Sequence, residues 1–156
     1  MDTNSPKKGN FMARERQVFP TSEIPHKWAH QTQAAARNPQ GNLYFKGATI
    51  YSYRDSWPLA RIYYKKRGAD RGILVLTNSD RYGKTTAGHQ HAVNLAASHF
   101  RQIEVPIVER AWSTLLPPED HTTNIAHLQD LAADHLRKAQ RAMLLGSVNW
   151  RRNVAD

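Results

Sequence analysis

An α+β fold, with helices covering one face of an antiparallel sheet of about four strands, is the architecture this sequence predicts. Two observations carry the prediction. Residues 42–77 hold short β-branched and aromatic runs separated by turn residues, and helical patterns precede and succeed them. A broad apolar stripe at helical spacing, Ile125, Leu128, Leu131, Ala132, Leu136, Ala139 and Met143, then predicts a long helix over 121–145.

Taken in order, residues 1–22 are mostly polar, with Lys7, Lys8, Gly9, Arg14 and Arg16 among isolated apolar side chains, and read as a flexible tail. Pro25 suits a first helical turn, alanines fill the later turns, and Asn38-Pro39 stops the run, so 25–37 reads as a helix anchored by Trp28. Asn42–Phe45 and Ala48–Tyr53 flank Lys46-Gly47, the makings of a two-residue hairpin. Leu59–Tyr64 gives a third strand and Lys65–Asp70 a basic loop. The unbroken apolar run of Gly72–Thr77 gives a fourth strand, expected to be central and buried on both faces. A helix opens at Thr85-Thr86, with Ala92, Val93, Ala96 and Phe100 at helical spacing. Ile103–Val108 can pair only at an edge, because Pro106 lacks a donor. These elements make one domain over 23–145, with a basic tail over 146–156.

The chain has 156 residues, no cysteine and a net charge of +9. The missing cysteines exclude disulfides and thiolate metal sites and fit a reducing compartment. No apolar run approaches the roughly 20 residues of a membrane span, so a cytoplasmic protein is expected. Charge is segregated. Residues 54–84 carry eight Lys/Arg against three Asp, and residues 137–152 carry five Lys/Arg and no acid. Residues 85–136 hold two Arg against six acids. Basic blocks of this kind favour a polyanionic partner, either nucleic acid (DNA or RNA) or an acidic protein surface.

Gly83-Lys84-Thr85 sits between a strand and a helix, where backbone N–H groups hold phosphate in nucleotide-binding loops. The motif wants glycine at the position of Asn78, and a meander is the wrong frame for it. Anion binding without hydrolysis is the reading that survives. His89 and His91 point about 200° apart on a helix and cannot share a metal. His26 and His30 have zinc-compatible spacing but no third ligand nearby. His127, Asp130 and Asp134 read as a solvated face supported by an Asp134–Lys138 pair. With no nucleophile elbow and no close carboxylate pair, no catalytic residue, metal or cofactor is assigned. Tyrosines interleave with cations instead. Arg61, Lys65, Lys66, Arg67, Arg81 and Lys84 are the candidates for phosphate, and Tyr51, Tyr53 and Tyr63 those for stacking on bases. Alternation places Tyr51 and Tyr53 on one face of their strand.

The order His26-Lys27-Trp28-Ala29-His30, Thr49-Ile50-Tyr51-Ser52-Tyr53, then Tyr82 with Thr85-Thr86 and His89 after it, resembles an uncharacterised family of bacteriophage and mobile-element genomes. The resemblance implies a bacterial host cytoplasm but no activity. It singles out Tyr82, Thr85, Thr86 and His89 as a junction site, leaving Gly83 and Lys84 outside the shared pattern. The expectation is a small basic phage-type protein that binds nucleic acid without catalysis. The alternatives are an interaction module or inhibitor acting on a host or phage protein's acidic or nucleic-acid-binding surface, and a small enzyme built on His89.

Overall fold

The computed structural model describes residues 16–53, 57–65, 72–109 and 116–154. Its elements are α1 (Glu23–Ala29), β1 (Ala35–Arg37), β2 (Leu43–Lys46), β3 (Thr49–Ser52), β4 (Pro58–Lys65), β5 (Gly72–Asn78), α2 (Lys84–Ala96), β6 (Arg101–Val105) and α3 (Pro118–Val154). The α+β class holds. The sheet differs from expectation in having six strands in sequential order, with β5 and β6 parallel. A meander from β1 to β5 thus ends in a crossover unit whose connecting helix is α2. Pairing five apolar strands antiparallel and returning through a helix leaves the last pair no choice but to run parallel.

The expected helix over 25–37 is split. Gln31 adopts a left-handed φ of 48°, which ends α1. Its side-chain amide then donates to the Trp28 and Gly47 carbonyls. The alanines beyond it serve as β1, whose edge also carries Gln17 and Val18. Strand pairing therefore reaches into the segment read as a tail, and α3 continues to Val154 rather than ending at Leu145.

The core lies between the sheet and the α1–α2 pair. Ile24, Trp28, Leu43, Phe45, Ile50, Leu59, Ile62, Val75 and Val93 are essentially solvent-free. Trp28 fixes the helix to the hairpin by donating to the Ala48 carbonyl at 2.8 Å. Gly47, at φ 54°, makes the β2–β3 turn with Ala48, since Lys46 pairs with Thr49.

The opposite face of the sheet is covered in part by the segment after β6. Glu109 accepts from Tyr51 and pairs with Arg61, and Tyr63 donates to the Val108 carbonyl. Asn124 of α3 clamps this segment by bonding both backbone groups of Ile107. β5 is accordingly not buried on both faces, because Leu74 and Leu76 stay half-exposed on this side. Among the described residues no helix is long and apolar enough to cross a membrane.

Candidate functional site

At the carboxyl end of β5, four chain segments converge: the end of β3, the start of β4, the loop 79–83 and the first turn of α2. Asn78 closes β5 by donating to the Pro58 carbonyl at 2.9 Å and accepting from the Asp80 amide at 2.8 Å. Gln90 of α2 donates to the Asn78 and Asp80 carbonyls, so strand, loop and helix are tied together. Gly83, at φ 60° and ψ 160°, then turns the chain into α2 through a conformation that side chains oppose.

Within this junction two of the four predicted residues face inward and two outward. Thr86 and His89 are buried, while Tyr82 and Thr85 are exposed. His89 Nδ1 lies 2.9 Å from Ser52 Oγ, and Thr86 Oγ1 lies 3.5 Å from the same hydroxyl. Ser52 is itself fully buried. A hydroxyl sealed in this way holds α2 to β3 and is poorly placed to attack a substrate. Burial also depresses the His89 pKa, since the charged imidazolium loses hydration there.

That depression gives stability a pH dependence. The native protein binds fewer protons at His89 than the unfolded chain. Stability is therefore complete above the ordinary imidazole value of 6.5 and declines as pH falls below it. Thermal unfolding measured across this range is expected to show a declining Tm in the parent protein and a flatter profile in His89→Gln. Equal slopes in the two proteins would remove His89 as the cause.

The outward side of the junction carries aromatic rings and cations. Trp57 and Tyr82 stand 5.1 Å apart at a tilted 44°, and Tyr82 is 67% exposed. Tyr53 approaches the His89 ring at 6.2 Å and is 52% exposed. It does so from a left-handed φ of 64°, an uncommon conformation for a bulky residue that turns it off the β3 alternation. The β3–β4 register also shifts beside Tyr51, where Ile50 pairs with Ala60 but Tyr51 with Pro58. Arg81 and Lys84 are exposed on either side of Tyr82. Arg81 also lines an adjoining polar cleft of about 240 Å³, shared with Ser79, His91, Asn94 and Glu104. The cleft opens beyond the carboxyl ends of the parallel strands β5 and β6, the usual ligand position in such crossover units.

The remaining predicted contacts fall elsewhere. Tyr51 and Tyr53 do not share a face: Tyr51 is buried against Glu109. Burial, and after it the Glu109 carboxylate, pushes its phenol pKa well up. Arg61 is held by the same carboxylate, with only 11% of its side chain exposed. Tyr63 is half-buried beneath the Arg61 guanidinium, and burial raises its pKa too. Lys65 ends β4 at the far end of the sheet from Arg81 and Lys84, and Lys66 and Arg67 lie outside the described residues. His30 stacks on His99 at 5.2 Å. Among the described residues no group of three His, Asp or Glu side chains is placed to hold a metal. Sequence reading did not single out Trp57, Ser52 or Glu109 as site residues, although Ser52 lies in the Thr49–Tyr53 motif of the family resemblance. The aromatic character of Trp57 was the other signal.

No protein-family model, curated protein or solved structure matches this chain.

Proposed function

We propose that this protein binds single-stranded nucleic acid without catalysis, through the aromatic and basic surface at the β5–α2 junction. The carrying observation is the Trp57–Tyr82 pair, whose outer ring is exposed and is flanked in the chain by the exposed cations Arg81 and Lys84. A solvent-facing ring needs an unstacked base, which single strands supply and duplexes do not. The cations on either side meet the phosphates that accompany that base, and Tyr53 extends the surface toward β3. Trp57 Nε1 adds a buried donor with no acceptor among the described residues.

The net charge of +9 supplies the long-range attraction but no preference for strand or base. An acidic protein partner would engage the same cations and rings, and binding that survives nuclease treatment in a pull-down distinguishes it. The enzyme reading finds little support, because the Ser52–His89 pair is sealed from solvent.

Fluorescence anisotropy with labelled oligothymidylate, oligouridylate and a duplex, titrated against salt, tests the proposal. Tyr82→Ala is expected to weaken single-strand binding by roughly 5- to 100-fold, the loss of one stacked base at about 1–3 kcal/mol. Arg81→Ala and Lys84→Ala should each lower the slope of log K against log salt by about 0.7. Absence of binding at low ionic strength would sink the proposal. Equal affinity for duplex and single strand would sink the stacking mode.

A further inference from the structure

We propose that α3 pairs antiparallel with α3 of a second copy of this chain, making the protein a dimer with its two globular bodies at opposite ends of the shared helix pair. The helix is far longer than its own domain covers. Asn124, in the second turn of α3, ties the helix to the body through both backbone groups of Ile107. From Ile125 to Leu144 every side chain is exposed except the partly covered His127 and Asp134. The helix extends about 45 Å from Ile125 to Val154 at 1.5 Å per residue.

The exposed surface is strongly two-sided. At about 100° per residue, Asp130, Asp134, Arg137, Lys138 and Arg141 gather in one arc roughly 100° wide. Asp134 is occupied within that arc by Lys138 at 2.6 Å and Arg137 at 3.6 Å. The opposite side carries Ile125, Leu128, Ala132, Leu136, Ala139 and Met143. Of these, Ile125 is 55%, Leu136 61% and Met143 76% exposed. A regular apolar stripe over five helical turns is stabilised in water only when another surface covers it.

Two features select a second copy as that surface, running the opposite way. The first is charge. Glu119, Asp120, Asp130 and Asp134 are the charged Asp/Glu residues of α3, all in its first half, and Arg137, Lys138, Arg141, Arg151 and Arg152 all lie in its second. These charges lie away from the stripe and act at long range: parallel pairing sets like-charged halves side by side, whereas antiparallel pairing sets acidic halves beside basic ones. The second is size. About a two-fold axis level with residue 134, Ile125 comes opposite Met143 and Ala132 opposite Leu136, and Leu128 is one residue from level with Ala139. Ala132 and Ala139 then make room for Leu136 and Leu128, while Ile125 meets Met143, so the stripe sets apolar side chains against one another along its length. Ile125 and Leu136, Leu128 and Ala139, and Ala132 and Met143 are each eleven residues apart, a repeat that keeps the seam on one side of a nearly straight helix.

Light scattering coupled to gel filtration, over a range of protein concentrations, is expected to give twice the chain mass and to fall to the chain mass for Leu136→Glu. The milder pair Leu136→Gln and Met143→Gln guards against a folding defect, with near-UV circular dichroism reporting the body. The chain has no cysteine, so single introduced cysteines at Thr123 and Asp134 can carry spin labels. Antiparallel pairing predicts a label separation far longer at 123 than at 134, and parallel pairing predicts similar values. A monomer at every concentration would overturn the proposal. A dimer unaffected by both sets of substitutions, or equal label separations, would overturn it as well. These readouts are independent of nucleic acid, so they stand or fall separately from the binding surface.

Discussion

Trp28→Ala is expected to remove about 3–5 kcal/mol of stability, enough to leave much of the population unfolded at room temperature. Trp28 has no exposed surface and reaches from α1 across to the hairpin, where its indole nitrogen donates to the Ala48 carbonyl at 2.8 Å. Alanine leaves a cavity among Ile24, Phe45, Ile50 and Val93 and strips that carbonyl of its donor. Trp28→Phe restores most of the volume without the hydrogen bond, and should recover roughly half the loss. Urea unfolding monitored by far-UV circular dichroism measures both. A loss under about 1 kcal/mol for Trp28→Ala would show that α1 can collapse onto the sheet without its anchor.

Glu109→Ala should be nearly as damaging, at about 3–5 kcal/mol, because it removes one charge of a largely buried ion pair rather than merely losing a contact. The Arg61 and Glu109 side chains are only 11% and 8% exposed, and Tyr51 donates to the same carboxylate. Removing the acid takes the buried carboxylate away from the Arg61 guanidinium and deprives the phenol of this acceptor. Glu109→Gln keeps an acceptor but not the charge, and should cost less. The double variant Arg61→Met with Glu109→Gln removes both charges of the pair, so it is expected to be more stable than Glu109→Ala alone. Chemical denaturation of the three variants decides the matter. A double variant less stable than Glu109→Ala would show that the guanidinium contributes mainly through packing on Tyr63.

These two sites illustrate how unevenly the fold was written in the sequence. Trp28 could be recognised as an anchor from its place in a proline-started helix. Its partner Ala48 could not, because a backbone carbonyl carries no sequence signal. Strands β2 to β5 were legible from β-branched and aromatic runs bounded by Gly47 and the polar loops. β1 was missed because three alanine-rich residues carry helix propensity, and pairing along β2 overrode it. Position 109 offered an acid among many in an acidic stretch. Only folding the segment after β6 back over the sheet made it the partner of Arg61.

The candidate surface shows the same division. The residues Tyr82, Thr85, Thr86 and His89 form one junction as expected, yet helical geometry sends Thr86 and His89 inward and leaves Tyr82 outside. Tyr51 and Tyr53, two residues apart, should share a face of an ideal strand. The left-handed turn at Tyr53 and the register shift beside Tyr51 separate them.

By itself, the sequence determined the α+β class, the basic character and the strand–loop–helix at Gly72–Ala96, because hydrophobic period, turn residues and charge are local properties. The tertiary structure decided which cations and rings are available. It sealed Arg61 and Tyr51 under Glu109 and brought Trp57 to Tyr82 from a different strand. It also left the stripe of α3 facing solvent. Exposure depends on what the rest of the chain packs over a residue, and no local pattern contains that.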